Sequence, residues 1–242
     1  MALTPSDLVT GGFYRVHLWV LMGLQTLAAL AVGSTQPSSL QAQSVLRDQF
    51  WLAVTAATIS YAGAVVWMYD QRKLGKLLLA AVAACSLIAC CLPAFTISAK
   101  PLAFQIADRV TGGLCLGLVT TSMLLGHWYL NTPTMKLAPL RQLIIFLAIA
   151  VALRMSVCLA GTCLEANQRF ASSAIPQSWY LFLALRWLTG LVGTLILAAL
   201  TWQTLKIPNT QSATGILYAA VILTFIGELT SQLLSAESLY PV

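Results

Sequence analysis

Residues 141–161 read RQLIIFLAIAVALRMSVCLAG, an apolar stretch of the length that crosses a bilayer as a helix. Beyond Arg141 its only charged residue is Arg154, far from either end. The rest of the chain has the same character, since 59% of its 242 residues are hydrophobic and 8% are charged. An average soluble domain is roughly 25% charged. With a mean hydropathy of +0.83, this composition predicts a multi-pass membrane protein and excludes an ordinary soluble globule.

Seven apolar segments are long enough to span a membrane as helices. They cover residues 13–33, 50–69, 74–93, 110–130, 141–161, 178–203 and 213–236. Because each segment is continuous rather than alternating in hydropathy, helices are favoured over the strands of a membrane barrel. We therefore predict an all-α polytopic helix bundle, with residues 1–242 forming a single integral membrane domain. The end of the first segment also resembles a signal-peptide cleavage site, and cleavage there would leave six spans.

The basic residues predict the orientation of the chain. Most of them fall in short gaps between apolar segments, on the side that would hold the N-terminus. The cations on this side are Arg15, Arg72, Lys73, Lys76, Lys136, Arg141 and Lys206. The positive-inside rule then predicts a plasma (inner) membrane protein with a cytoplasmic N-terminus and an outside C-terminus. Since the basic residues form no stripe with interleaved aromatic residues, nucleic acid is not an expected partner.

Three charged side chains lie within the last three predicted spans: Arg154, Arg186 and Glu228. Each is ~10 to 12 Å from the predicted outer end of its span, at a rise of 1.5 Å per residue. Charges at such depth tend to pair, to face the bundle interior and to mark functional sites. A second arginine beside one Arg–Glu pair would leave a positive charge uncompensated, which favours an anionic group or a quinone carbonyl as ligand. The alternative is a polar network that only tethers the helices.

Two histidines form a second candidate site near the predicted inner ends of their spans, His17 in the first and His127 in the fourth. A pair of imidazoles from two helices can ligate a b-type haem. It can also relay protons to a quinone, and a plain interfacial role stays open beside both. His127 is followed by Trp128 and Tyr129, which are further candidate contacts to quinone or haem.

Other motifs are less specific. The six cysteines show no CxxC pair and no zinc-ligand spacing, so they are either buried free thiols or partners in a disulfide on the outer face. Gly113 and Gly117 form a GxxxG that predicts close packing with another helix, and Gly190 and Gly193 are interpreted in the same way. No nucleotide-binding, metalloprotease or hydrolase motif is present, which favours a non-catalytic membrane subunit over an enzyme.

Gly227-Glu228 is similar to a Gly-Glu pair in the last helices of membrane anchor subunits of the DMSO and polysulfide reductase type. The resemblance covers a handful of residues, and that family usually has more spans. Anchor subunits of this type bind quinone, so the resemblance ranks first a membrane subunit of an electron-transfer assembly. Polar sites at two depths favour the same hypothesis, with quinone or haem as ligand and other membrane or peripheral redox subunits as partners. The alternative is a small transporter for an anionic solute that uses the two arginines. Against it, no span is broken in the middle of the membrane by proline or paired glycines, as the binding helices of many carriers are.

Overall fold

The computed structural model describes residues 1–2, 4–5, 7–96, 101–132, 134–171, 177–207 and 209–241, which form helices and no strand. The helices are α1 (Gly11–Ser34), α2 (Leu40–Met68), α3 (Arg72–Thr96), α4 (Leu102–Asn131), α5 (Ala138–Ala171), α6 (Gln177–Leu185), α7 (Thr194–Lys206) and α8 (Thr210–Glu237). A π-helical segment, Arg186–Gly193, joins α6 to α7 within one span. Seven spans in the described residues are long and apolar enough to cross a membrane, so the predicted seven-helix all-α fold is confirmed. These helices fit a multi-pass membrane protein in a lipid bilayer.

Several helices extend beyond the apolar segments that predicted them. The second helix begins at Leu40, where the side chain of Ser39 accepts a hydrogen bond from the backbone N–H of Ala42 at 3.1 Å. This N-cap starts the helix well before the apolar stretch at residue 50. The fifth helix extends at its C-terminal end: its apolar segment stops at residue 161, but α5 continues to Ala171. Hydropathy marks only the apolar part of a helix, whereas a cap or a breaker sets where the helix ends.

The helices fall in two compact units, Met1–Ala99 and Lys100–Val242. In the first unit, α1 packs on α2 and α2 packs on α3. The ring of Tyr14 stacks on Trp67 with ring centroids 4.3 Å apart. Gln25 Nε2 donates to Ser86 Oγ at 2.8 Å and so joins α1 to α3. The single-domain organisation of the chain stays a prediction.

In the second unit, α8 packs on α4, α6, α7 and the π-helical segment. It comes close to the π-helical segment at Gly190 and Gly227. A Cβ atom on Gly190 would lie 2.7 Å from the Cα atom of Gly227, which is closer than real side chains come to backbone. The predicted close-packing role of Gly190 is therefore confirmed. The fully buried leucines of this unit include Leu125, Leu143, Leu147, Leu191 and Leu217.

Gly113 and Gly117 do not pack against another helix within the described residues of the second unit. A Cβ atom at either position would have no heavy atom of this unit within 4 Å beyond its own surroundings in the helix. The face of α4 that meets α8 carries Gly112 and Gly126 instead. A Cβ atom on Gly112 would lie 2.8 Å from Glu228 Oε2, and one on Gly126 would lie 2.8 Å from a threonine hydroxyl of α8. The contact with α8, and not the GxxxG spacing, decides which glycines are covered.

Candidate functional site

The structure brings together the three charged residues that the sequence placed in the last three spans. Arg154 of α5 donates from Nε to Glu228 Oε1 at 3.2 Å and from Nη2 to Oε2 at 2.9 Å. Arg186, the first residue of the π-helical segment, donates from Nη1 to Glu228 Oε1 at 3.3 Å. All three residues are buried, with exposed fractions of 2%, 0% and 7% for Arg154, Arg186 and Glu228. The carboxylate of α8 therefore bridges two guanidinium groups inside the second unit.

A fourth charged residue, Asp108 of α4, completes the cluster. Arg154 Nη1 donates to Asp108 Oδ1 at 2.5 Å, to its backbone carbonyl at 2.8 Å and to Thr111 Oγ1 at 3.2 Å. Two guanidinium groups thus face two carboxylates. The prediction that the second arginine leaves a positive charge uncompensated is therefore wrong. We call Asp108, Arg154, Arg186 and Glu228 the charge network.

The other donors of the two guanidinium groups also find partners. Arg154 Nη2 is 3.4 Å from Ser231 Oγ. Arg186 donates from Nη1 to the backbone carbonyl of Gly227 at 3.2 Å and from Nη2 to Cys158 Sγ at 3.1 Å. A buried ionic cluster is stable only when such additional hydrogen bonds offset the loss of hydration. The network meets this condition and links α4, α5, the π-helical segment and α8.

Asp108 was missed because the apolar stretch of the fourth span starts at residue 110, which leaves Asp108 in a predicted loop beside Arg109. The helix in fact begins at Leu102. A signal was present in the sequence, because Asp108, Thr111 and Cys115 are three and four residues apart and so share one helix face. Asp108 therefore lies on the same side of α4 as Cys115, which is buried.

A cavity of about 110 Å³ opens beside the charge network. It is lined by Phe104, Gln105, Asp108, Arg109, Ser235, Leu239, Tyr240 and Pro241. Asp108 belongs both to the cavity wall and to the network, and its side chain is 26% exposed. The rings of Phe104 and Tyr240 meet edge to face with centroids 5.5 Å apart.

The histidines lie in different units. His17 in the first unit is buried, and its Nδ1 atom is 2.6 Å from the carbonyl oxygen of Phe13. His127 in the second unit is exposed, and its Nδ1 atom is 3.4 Å from the hydroxyl of Tyr218. Among the described residues no group of three or more His, Cys, Asp or Glu could hold a metal ion. Haem ligation by these histidines stays a prediction.

The residues after His127 take part in the turn that follows α4. The buried hydroxyl of Tyr129 donates to the backbone carbonyl of Lys136 at 2.5 Å. The backbone carbonyl of Trp128 accepts from the hydroxyl of Thr132 at 2.9 Å. These contacts stabilise the connection between α4 and α5, and a role of Trp128 and Tyr129 in binding quinone or haem stays a prediction.

The six cysteines are free thiols, so the alternative of a disulfide on the outer face is not realised. Cys115 and Cys158 are buried, and Cys90 and Cys163 are exposed. Cys158 contacts the charge network, because its Sγ atom accepts a hydrogen bond from Arg186. Its thiol therefore acts as a buried acceptor.

The sixth span contains a wide turn that the sequence analysis did not predict. Residues Arg186–Gly193 are π-helical, and the hydroxyl of Thr194 is 3.4 Å from the carbonyl oxygen of Thr189, five residues earlier. π-helical turns are rare and often occur at functional sites. Here the wide turn starts at Arg186 and contains Gly190, so it lies where the chain meets both the charge network and the backbone of α8.

No protein family model, no curated protein and no solved structure matches this chain. The function has to be inferred from the chemistry of the charge network and of the cavity beside it.

Proposed function

We propose that this multi-pass membrane protein is a membrane subunit of an electron-transfer assembly, and that the cavity beside Asp108 binds the ring of a quinone. One observation carries the proposal. The cavity combines two aromatic side chains, several hydrogen-bonding groups and a carboxylate that is bonded to the buried charge network. The centres that exchange electrons with the quinone would belong to partner subunits.

The lining of the cavity suits the chemistry of a quinone. A quinone ring is flat and largely apolar, and the rings of Phe104 and Tyr240 offer it packing surfaces. Its carbonyl oxygens need hydrogen-bond donors, which the side chains of Gln105 and Ser235 can supply. Reduction to the quinol takes up protons together with electrons. Asp108 is the carboxylate in the cavity wall, so it can accept a hydrogen bond from a hydroxyl of the reduced ring.

The geometry supports the other two interpretations less well. In the transporter hypothesis Arg154 and Arg186 bind an anionic solute, but both already face carboxylates in a balanced network. In the haem hypothesis His17 and His127 are the ligands. The side chain of His127 is exposed, so it is not enclosed as a ligand to a buried haem would be.

The proposal is tested with a photoreactive azido-quinone that has a short tail. The purified protein in lipid nanodiscs is illuminated with this probe, and the labelled peptides are identified by mass spectrometry. We expect saturable labelling of residues 104–109 and 235–241, and competition by unlabelled short-chain ubiquinone. Labelling that is spread over all lipid-facing helices and does not compete would contradict the proposal.

A pair of serine substitutions provides the matched control. Ser235→Phe fills the cavity and should reduce the competed labelling about tenfold or more, since an overfilled site has no room for a ring. Ser156→Phe makes the same change on the exposed face of α5 and should leave the labelling unchanged. Equal labelling in both variants would assign the quinone to another surface.

A further inference from the structure

Residues 238–241 follow α8 and make one side of the cavity. We call them the wall segment, because Leu239, Tyr240 and Pro241 line the cavity. The ring of Tyr240 meets Phe104 of α4, while Ser238 is buried with 3% of its surface exposed. The wall segment has no regular secondary structure, so its position depends on contacts with the helices around it.

Glu165 of α5 makes a polar contact with the backbone of the wall segment. Its Oε2 atom accepts the backbone N–H of Leu239 at 3.0 Å and that of Tyr240 at 3.3 Å. Glu165 is 4% exposed. A carboxylate buried to this extent needs hydrogen-bond donors, and bonds from N–H groups to an ionised acceptor are stronger than those between neutral groups. The two bonds therefore fix the backbone of the wall segment against α5.

Gly161 lies one helical turn before Glu165 and leaves space for the same segment. A Cβ atom at this position would overlap the carbonyl oxygen of Pro241 and lie 3.1 Å from its Cδ atom. On this face of α5, Glu165 supplies a hydrogen-bond acceptor for the wall segment. Gly161, one turn earlier, leaves space for the backbone of Pro241. Neither Gly161 nor Glu165 lines the cavity itself.

We propose that Glu165 is a positioning residue for the cavity: it holds Leu239, Tyr240 and Pro241 in place and so sets the shape of the site without touching its ligand. The identity of that ligand rests on the function proposed above, whereas the role of Glu165 does not. Removing the acceptor should free the wall segment and weaken binding. Replacing the carboxylate by an amide should preserve much of both, because the amide oxygen still accepts hydrogen bonds.

The first test needs no ligand. Ser238→Cys introduces a thiol at a buried position of the wall segment, and its modification by a water-soluble maleimide is followed on that peptide by mass spectrometry. Adding Glu165→Ala should speed the modification about tenfold or more, because two charge-assisted hydrogen bonds are lost. Glu165→Gln should stay close to the parent. Gly161→Ala displaces Pro241 by a different contact and should also speed the modification.

The second test uses the short-chain ubiquinone as probe. Its apparent Kd should rise about tenfold in Glu165→Ala and in Gly161→Ala, and should be nearly restored in Glu165→Gln. The thermal unfolding midpoint of each variant, measured in the same nanodiscs, checks that the bundle remains folded.

The two proposals fail separately. If Glu165→Ala and Gly161→Ala fold and leave the modification of Ser238→Cys as slow as in the parent, the positioning role of Glu165 is overturned. If the modification accelerates as expected but no variant or parent binds ubiquinone, the positioning role is supported and the quinone assignment is overturned. Equal loss of binding in Glu165→Ala and Glu165→Gln, with the thiol protected in both, would also overturn the positioning role.

Discussion

The two compact units of this chain hold their helices together in different ways. Among the described residues of the first unit, no Asp, Glu, Lys or Arg is buried, and its helices are joined by contacts such as the hydrogen bond from Gln25 to Ser86. The second unit buries the charged residues Arg154, Glu165, Arg186 and Glu228. Apolar helices can pack in a membrane through van der Waals contact and a few polar bonds. The charges of the second unit are therefore in excess of what packing needs, which favours a functional role for them.

Among the substitutions that test this difference between the units, Glu228→Ala should change the free energy of unfolding most. It removes the carboxylate that both Arg154 and Arg186 contact. Arg154 keeps its ion pair with Asp108, but two buried guanidinium groups then face a single carboxylate. Breaking one side of a buried ion pair costs about 3–5 kcal/mol in other proteins. The free energy of unfolding, measured by titration with a denaturing detergent in mixed micelles or bicelles, should fall by a similar amount.

Ser212→Ala is the control on the same helix. The side chain of this residue is exposed, so the substitution should change the free energy of unfolding by no more than about 0.5 kcal/mol. A loss below about 1 kcal/mol in Glu228→Ala would mean that the charge network adds little to the second unit. The contrast between the two units would then be one of composition and not of energetics.

A smaller effect is expected from steric change at the glycines. Gly190→Ala places a Cβ atom against the backbone of Gly227, which neither helix can avoid without moving, so it should destabilise the second unit by about 1–3 kcal/mol. Gly113→Ala meets open space and should be neutral or stabilising by up to about 1 kcal/mol, since alanine favours helix more than glycine does. If Gly190→Ala lowers the free energy of unfolding and Gly113→Ala raises it in the same assay, the close contact with α8 and not the glycine itself decides the cost. Destabilisation by Gly113→Ala would instead indicate that its face is covered in the membrane.

The parts of the fold that the sequence predicts are those set by local composition and by depth. Apolar length predicts the seven spans, and residues 141–161 lie inside α5. The rise per residue predicts that Arg154, Arg186 and Glu228 lie at similar depth, and their side chains are within hydrogen-bonding distance. Since lipid penalises isolated charges, residues of opposite charge at one level of a bundle tend to meet.

What the sequence did not predict depends on contacts between distant residues. The place of Asp108 in the network depends on α4 beginning before its apolar stretch. The wall segment is fixed by a bond between Glu165 and Leu239, which are 74 residues apart. The π-helical turn at Arg186–Gly193 accompanies the close approach of Gly190 to Gly227. Of these features only the place of Asp108 leaves a period, in its spacing from Thr111 and Cys115. The contact of Glu165 with the wall segment leaves none, so the cavity that depends on both was not predicted.

The smallest effect is expected in the first unit from Gln25→Leu. The substitution removes the amide that donates to Ser86 Oγ, but the Ser86 hydroxyl still donates to the backbone carbonyl of Val82 at 2.8 Å. No buried group is therefore left unsatisfied, and hydrogen bonds between membrane helices average only about 0.6 kcal/mol. The unfolding free energy should fall by about that amount, and adding Ser86→Ala should cost little more, because the two residues act as one pair. A loss as large as that of Glu228→Ala would contradict the difference between the units, because one neutral hydrogen bond would then stabilise the first unit as much as the charge network stabilises the second.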